Sequence, residues 1–103
     1  VWGTGTQVRD WIHIDDVCAT VLTAVEDGHR GPLNIGSGEP VSFLRLADLV
    51  TKAAGYRPEI KALTDRPSGV RYRVSDPTRL RELRRPKVSL EDGIGRALWR
   101  ASR

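Results

Sequence analysis

Cysteine, methionine and long apolar runs are the first things to look for in this 103-residue sequence, because it has so little of them. Cys18 stands alone, so no disulfide can form within the chain, which agrees with a reducing cytoplasm. Methionine is absent, and the first residues show no basic segment followed by an apolar one, so no secretory leader is read there. No apolar run exceeds a few residues, whereas a membrane-spanning helix needs about 20. Only two histidines, His13 and His29, are present, and a zinc site wants three or four convergent ligands. A disulfide scaffold, a membrane protein and a zinc centre are all excluded as expectations.

What remains is enough for one domain at most, near the lower limit for burying a core. Hydrophobic residues make up 39% and charged residues 29%, a balance that suits folded polypeptide and not a disordered tail. The net charge of +4 hides a division. Residues 1–65 hold six Lys or Arg against nine Asp or Glu, and residues 66–103 hold eleven against four. A basic second half suits a phosphate-bearing ligand, a nucleic acid, or a solvated helix face.

Capping residues and apolar spacing mark four helices. Asp15-Asp16 reads as the start of a helix over 16–27, with Val17, Val21, Leu22 and Val25 at helical spacing and Gly28 as its stop. Ser42 caps a helix of 43–54 whose inner face is Leu46, Leu49, Val50 and Ala53, ending at Gly55. Asp76-Pro77 launches a short helix to Leu83. Ser89-Leu90-Glu91-Asp92 has the form of a capping box and opens a final helix carrying Leu90, Ile94, Ala97 and Leu98. Between them, Trp11–Ile14, Leu33–Ile35 and Arg57–Leu63 read as short strands. The alternation indicates an α/β fold whose few strands are expected to pair with strands from outside the chain.

Catalytic and cofactor motifs are wanting. Gly3-Thr4-Gly5-Thr6-Gln7-Val8 and Gly36-Ser37-Gly38-Glu39-Pro40-Val41 each lack the third glycine of a dinucleotide-binding loop and read as turns. No Gly-x-Ser-x-Gly elbow occurs, and Cys18 lies among apolar helix residues as a structural thiol would. Nothing here encodes an NAD or metal site.

The informative stretch is Gly3-Thr4-Gly5-Thr6-Gln7-Val8-Arg9-Asp10-Trp11-Ile12-His13-Ile14-Asp15-Asp16: a turn, an arginine, an aromatic, an extended run and a capped helix. It resembles the G-x-G-x-Q-x-R-D-[FWY]-[IV]-[HY]-V-x-D signature of the extended short-chain dehydrogenases/reductases, which include nucleotide-sugar epimerases and dehydratases. The likeness continues in order through Leu33-Asn34-Ile35-Gly36-Ser37-Gly38, Arg66-Pro67-Ser68-Gly69, Asp76-Pro77-Thr78 and Pro86-Lys87-Val88-Ser89-Leu90-Glu91-Asp92-Gly93.

The resemblance implies the carboxyl-terminal, substrate-binding portion of a Rossmann-type enzyme, with residues 1–103 as a single unit and the amino-terminal NAD-binding domain absent. It implies a nucleoside-diphosphate sugar as ligand, NAD as the parent enzyme's cofactor, and a homodimer built through the other domain. Arg9 and Arg66 inherit the family's diphosphate contacts, a role suited to a permanently charged, planar fork of donors. Trp11 and, more weakly, Gln7 fall at positions near the nucleotide. The plain alternatives are an ion pair with Asp10 for Arg9 and core packing for Trp11.

The sequence also departs from the family. Gly69 stands where an aspartate would hold a ribose hydroxyl, and Leu83-Arg84-Arg85-Pro86 lacks the usual tryptophan. Tyr56 and Tyr72 are followed four residues later by Ile60 and Asp76, so no Tyr-x-x-x-Lys pair exists and the chain is not catalytic alone. Two other readings remain. One is a non-catalytic sugar-nucleotide-binding remnant. The other is a nucleic-acid module using Arg79, Arg81, Arg84, Arg85, Arg96 and Arg100, a stretch interrupted by Glu82, Glu91 and Asp92 and poor in aromatics.

Overall fold

The computed structural model describes residues 1–102. Its elements run in the order β1 (Val8–Arg9), α1 (Ile14–Glu26), β2 (Val41–Ser42), α2 (Phe43–Ala54), β3 (Tyr72–Arg73), α3 (Thr78–Leu83) and α4 (Leu90–Ala101). The strands form one sheet in the order β2-β1-β3. β1 pairs antiparallel with β2, Val8 opposite Ser42 and Arg9 opposite Val41. It pairs parallel with β3, Val8 opposite Tyr72 and Arg9 opposite Arg73. A parallel bridge between Trp2 and Leu63 ties the amino terminus to the 57–63 segment.

The helices follow their caps. Ser42 Oγ accepts from the Arg45 amide at 3.0 Å, and Gly55 closes α2 at φ +79°, a left-handed conformation that costs glycine little. Two of the free amides at the start of α2 are met by the first turn: Phe43 donates to the Gln7 carbonyl and Leu44 to that of Gly5. Ser89 Oγ accepts from the Asp92 amide, while the Asp92 carboxylate goes to Arg96 at 2.9 Å. α3 begins one residue later than expected, with Pro77 at its cap. The Asp76 carboxylate does the capping from one position back, accepting from the amide and hydroxyl of Thr78.

α1 departs most from expectation. It starts at Ile14, and its cap is His13, whose Nδ1 accepts from the Asp15 amide at 3.1 Å. Asp15 and Asp16 therefore lie inside the first turn, where negative charge still suits the helix dipole. Its apolar residues are not its covered ones: Asp16 and Thr20 are buried, whereas Val21, Leu22 and Val25 are 48%, 63% and 76% exposed. Cys18 is exposed as well, so it is no buried structural thiol.

The three expected strands are also corrected. Trp11–His13 and Leu33–Ile35 join no ladder, and 57–63 contributes only the bridge at Leu63. A β-favouring run becomes a strand only when a neighbouring backbone is there to pair with; residues 1–3 meet the 57–63 run only at its end, and within the described residues the other two runs have no ladder partner.

α2 packs against α4 and α1 against α3. The buried apolar core is small: Leu49, Leu80 and Ile94.

Candidate functional site

β1 ends at Arg9 beside an open cleft of about 510 Å³, whose walls include Asn34, Ile35, Gly36 and Arg73. That volume is in the range of small-molecule sites. The Arg9 guanidinium lies over the Phe43 ring, 5.6 Å from its centroid, and donates through Nη1 to the Val8 carbonyl at 2.8 Å. The backbone at Gly69 comes up beside it: a Cβ built there would sit 3.3 Å from Arg9 Nη2. Phe43 meets Trp11 edge-on at 5.4 Å on the other side. Trp11 Nε1 reaches the Val41 carbonyl at 3.4 Å. Arg9, Phe43 and Trp11 thus form one continuous array, and the packing alternative for Trp11 holds in part.

The ion-pair alternative for Arg9 does not hold, because Asp10 is taken. Asp10 Oδ1 accepts from the amide and hydroxyl of Ser37 at 2.6 and 2.8 Å. Its Oδ2 accepts from the Gly38 amide at 2.9 Å and from the amide and hydroxyl of Ser75 at 3.1 and 2.6 Å. Burial by itself would raise this carboxyl. The Ser75 hydroxyl, the Gly38 and Ser37 amides and the Ser37 hydroxyl outweigh it and lower the pKa from 3.8 to about 2. Among the described residues Arg9 makes no ion pair, and its charge is left for something else.

Neither glycine-rich turn has room for a dinucleotide. The Gly36-Ser37-Gly38 turn points its amides at Asp10, so its anion-binding concavity is already filled from within. The first turn is packed from both sides: a Cβ at Gly3 would fall 2.6 Å from Ser68 Cβ, and one at Gly5 the same distance from Leu44 Cγ. Neither turn fits an NAD pyrophosphate. No group of three or more His, Cys, Asp or Glu residues placed to hold a metal occurs among the described residues.

Arg66 lies apart from the Arg9 array. Its guanidinium sits over the Trp2 ring at 5.8 Å, on the exposed loop that also carries Ser68 and Gly69. That loop touches both Gly3 and Arg9, so Arg9 and Arg66 flank it from different rings. Gln7 is buried. Its Nε2 donates to the Trp2 carbonyl at 3.0 Å, and its Oε1 has no partner among the described residues. Its place is inside the turn, supporting Trp2. In the basic second half, Arg84 is tied to buried Asp16 and Arg96 to Asp92, which withdraws two arginines from any nucleic-acid surface.

Sequence reasoning overlooked Phe43, the five bonds of Asp10 and the place of Arg73. The repeated pairing of Asp10 with a Gly-Ser-Gly turn was within reach, since short turns rich in free amides attract carboxylates. The Arg9–Arg73 pairing was not, because nothing local encodes a register between two-residue strands.

Proteins of known structure share this fold, and they define a class: Rossmann-type enzymes that act on nucleotide sugars. A UDP-glucose 4-epimerase from Thermotoga maritima, solved with UDP-glucose, superposes with a TM-score of 0.84 at 32% identity, covering 99% of this chain and 34% of its own. A UDP-glucuronic acid 4-epimerase from Bacillus cereus, solved with a UDP-sugar analogue and NAD, gives 0.80 at 30% identity over 92% of this chain and 32% of its own. By sequence, the model of the NAD dependent epimerase/dehydratase family matches residues 1–36. A putative GDP-L-fucose synthase from rice (Oryza sativa subsp. japonica) is 38% identical over 96 residues, 91% of this chain and 28% of its own length. The Escherichia coli GDP-L-fucose synthase is 30% identical over 105 residues, 91% of this chain and 33% of its own. The chain is similar in sequence and in fold to the NAD-dependent epimerase/dehydratase group of the extended short-chain dehydrogenases/reductases. It spans about a third of the length of these relatives.

Proposed function

We propose that this chain is the substrate-holding portion of an NAD-dependent enzyme that epimerises, dehydrates or reduces a nucleoside-diphosphate sugar. The glycine loop for NAD and the Tyr-x-x-x-Lys pair lie in polypeptide outside these residues. The carrying observation is Arg9: a guanidinium laid over Phe43 at the rim of a cleft, with its neighbouring carboxylate fully engaged elsewhere. Such a group is suited to a diphosphate, whose oxygens accept the bidentate bonds that Asp10 does not take. Arg66, across the Gly69 loop, adds a second positive charge to the same ligand, and Trp11 backs the nucleotide through Phe43. Gln7 contributes by supporting the turn.

The exposed apolar side of α1 and the unpaired 33–35 segment support a further polypeptide packed on this one. With no helix long and apolar enough to cross a membrane among the described residues, the enzyme is proposed to act in the cytoplasm, as a homodimer through its other domain. Wild type and Arg9→Ala, each carrying whatever upstream residues the reading frame supplies, are to be titrated with UDP-, dTDP- and GDP-sugars. Sub-millimolar binding by wild type, weakened about tenfold or more in the variant, is expected from the loss of one charge-assisted pair. Absence of binding, or an upstream sequence without the glycine loop and catalytic pair, overturns the reading.

A further inference from the structure

Arg9 is a permanent charge on a long side chain, and among the described residues no acid pairs with it. An arginine left so spreads over many rotamers, and an incoming anion must then collect them at a cost in affinity. Here three contacts collect the guanidinium beforehand. Nη1 donates to the Val8 carbonyl at 2.8 Å, the Gly69 backbone comes up beside Nη2, and Cζ lies 5.6 Å from the centre of the Phe43 ring. The first two are made by backbone and would be there with other side chains. Only the third depends on which residue the sequence places opposite.

The ring is itself held in place. Phe43 opens α2 directly after β2, and the register of β2 with β1 sets Val41 opposite Arg9. The Phe43 amide donates to the Gln7 carbonyl at 3.2 Å, and Trp11 meets the ring edge-on with the planes at 87°. The face of an aromatic ring is negative and attracts a guanidinium, whereas an aliphatic side chain of similar bulk offers contact alone. Arg9 and Phe43 are both half-buried, so solvent ions screen this attraction less than they would on an open surface. We infer that Phe43 is a positioning residue, whose ring holds the Arg9 guanidinium at the rim of the cleft so that a ligand phosphate meets a donor fork already set. This rests on the proposed diphosphate ligand and adds the side chain that aims its arginine. Phe43 acts through Arg9, so loss of the ring matters only while the arginine is present.

The test compares wild type, Arg9→Ala, Phe43→Leu, Phe43→Tyr and the double variant Arg9→Ala with Phe43→Leu, in the protein as encoded, for affinity toward UDP and for melting temperature without ligand. Phe43→Leu is expected to lose about three- to tenfold in UDP affinity, through the lost ring contact and the lost preorganisation. Phe43→Tyr keeps the ring face and should stay within about twofold of wild type. On the Arg9→Ala background Phe43→Leu should cost little more, because the group it aims is gone; a residue that only supports the fold would cost the same on both backgrounds. If Phe43→Leu melts well below wild type, Phe43→Met fills the space without a ring and serves in its place. Unchanged UDP affinity in Phe43→Leu alongside a loss in Arg9→Ala overturns this inference and leaves the diphosphate reading standing, and so does an equal loss on both backgrounds. No UDP binding by wild type, or none lost in Arg9→Ala, brings down both.

Discussion

Asp10 decides what its neighbour Arg9 can do. Its five hydrogen bonds reach from the end of β1 to the Gly36–Gly38 turn and to Ser75 ahead of α3, joining three stretches distant in sequence. All five donors point at a charge, so the protonated or amide form would turn at least one bond into an opposition. Because the folded pKa is lowered, the stabilisation is fully present above the ordinary carboxylate value of 3.8 and is lost as pH falls toward about 2. Asp10→Asn is expected to destabilise the protein at pH 7 by roughly 1–3 kcal/mol. It should also remove part of the decline in urea midpoint that wild type shows between pH 4 and pH 2.5. A variant with the same midpoint as wild type at both pH values would show that Asp10 does not hold these turns together.

At the scale of elements, Asp16 does for α1 what Asp10 does for β1. Buried in the first turn of α1, it accepts from Arg84 at 2.9 Å and from the Lys87 and Val88 amides, each at 2.9 Å. Burial pushes its carboxyl up, and those two amides with Arg84 more than reverse this, so its pKa is lowered. Asp16→Ala leaves a guanidinium and two amides without their acceptor, at a part-buried position. A loss of about 3–5 kcal/mol is expected, with new protease cleavage between residues 84 and 88. Cleavage unchanged from wild type would mean that this segment is held by other contacts. How much of this was legible follows from the kind of signal. Helices declare themselves locally, so Ser42, Gly55 and Ser89 marked the ends of α2 and the start of α4 correctly. Strands do not: Val8–Arg9 is too short for any alternation, and its partners lie more than 30 residues away in one case and more than 60 in the other. Asp16 looked like a helix-start residue because its side-chain partners are some 70 residues distant. The resemblance carried Arg9 where periodicity could not.

The whole molecule is thin for its mass. It measures 48 × 33 × 16 Å with a radius of gyration of 15.8 Å, against about 13 Å for a compact domain of this length. Its accessible surface is 7529 Å², where roughly 5,800 Å² is usual for 11.4 kDa. Part of the excess lies on α1, where Ile14, Val21, Leu22 and Val25 are about half to three-quarters exposed and Asp16 and Thr20 face inward. A helix turned this way contributes little apolar burial to the chain that contains it, and its stripe is free to meet another surface. Replacing Leu22 and Val25 together with Gln should therefore change the chemical stability of the isolated 103-residue chain by well under 1 kcal/mol and reduce its self-association. If these residues belonged to the chain's own core, each replacement would cost about 1.5–3 kcal/mol. Urea titration and sedimentation of the double variant separate the two cases. A large loss of stability would show that α1 covers its stripe within this chain, and the expectation of a packed neighbour would lose its physical basis.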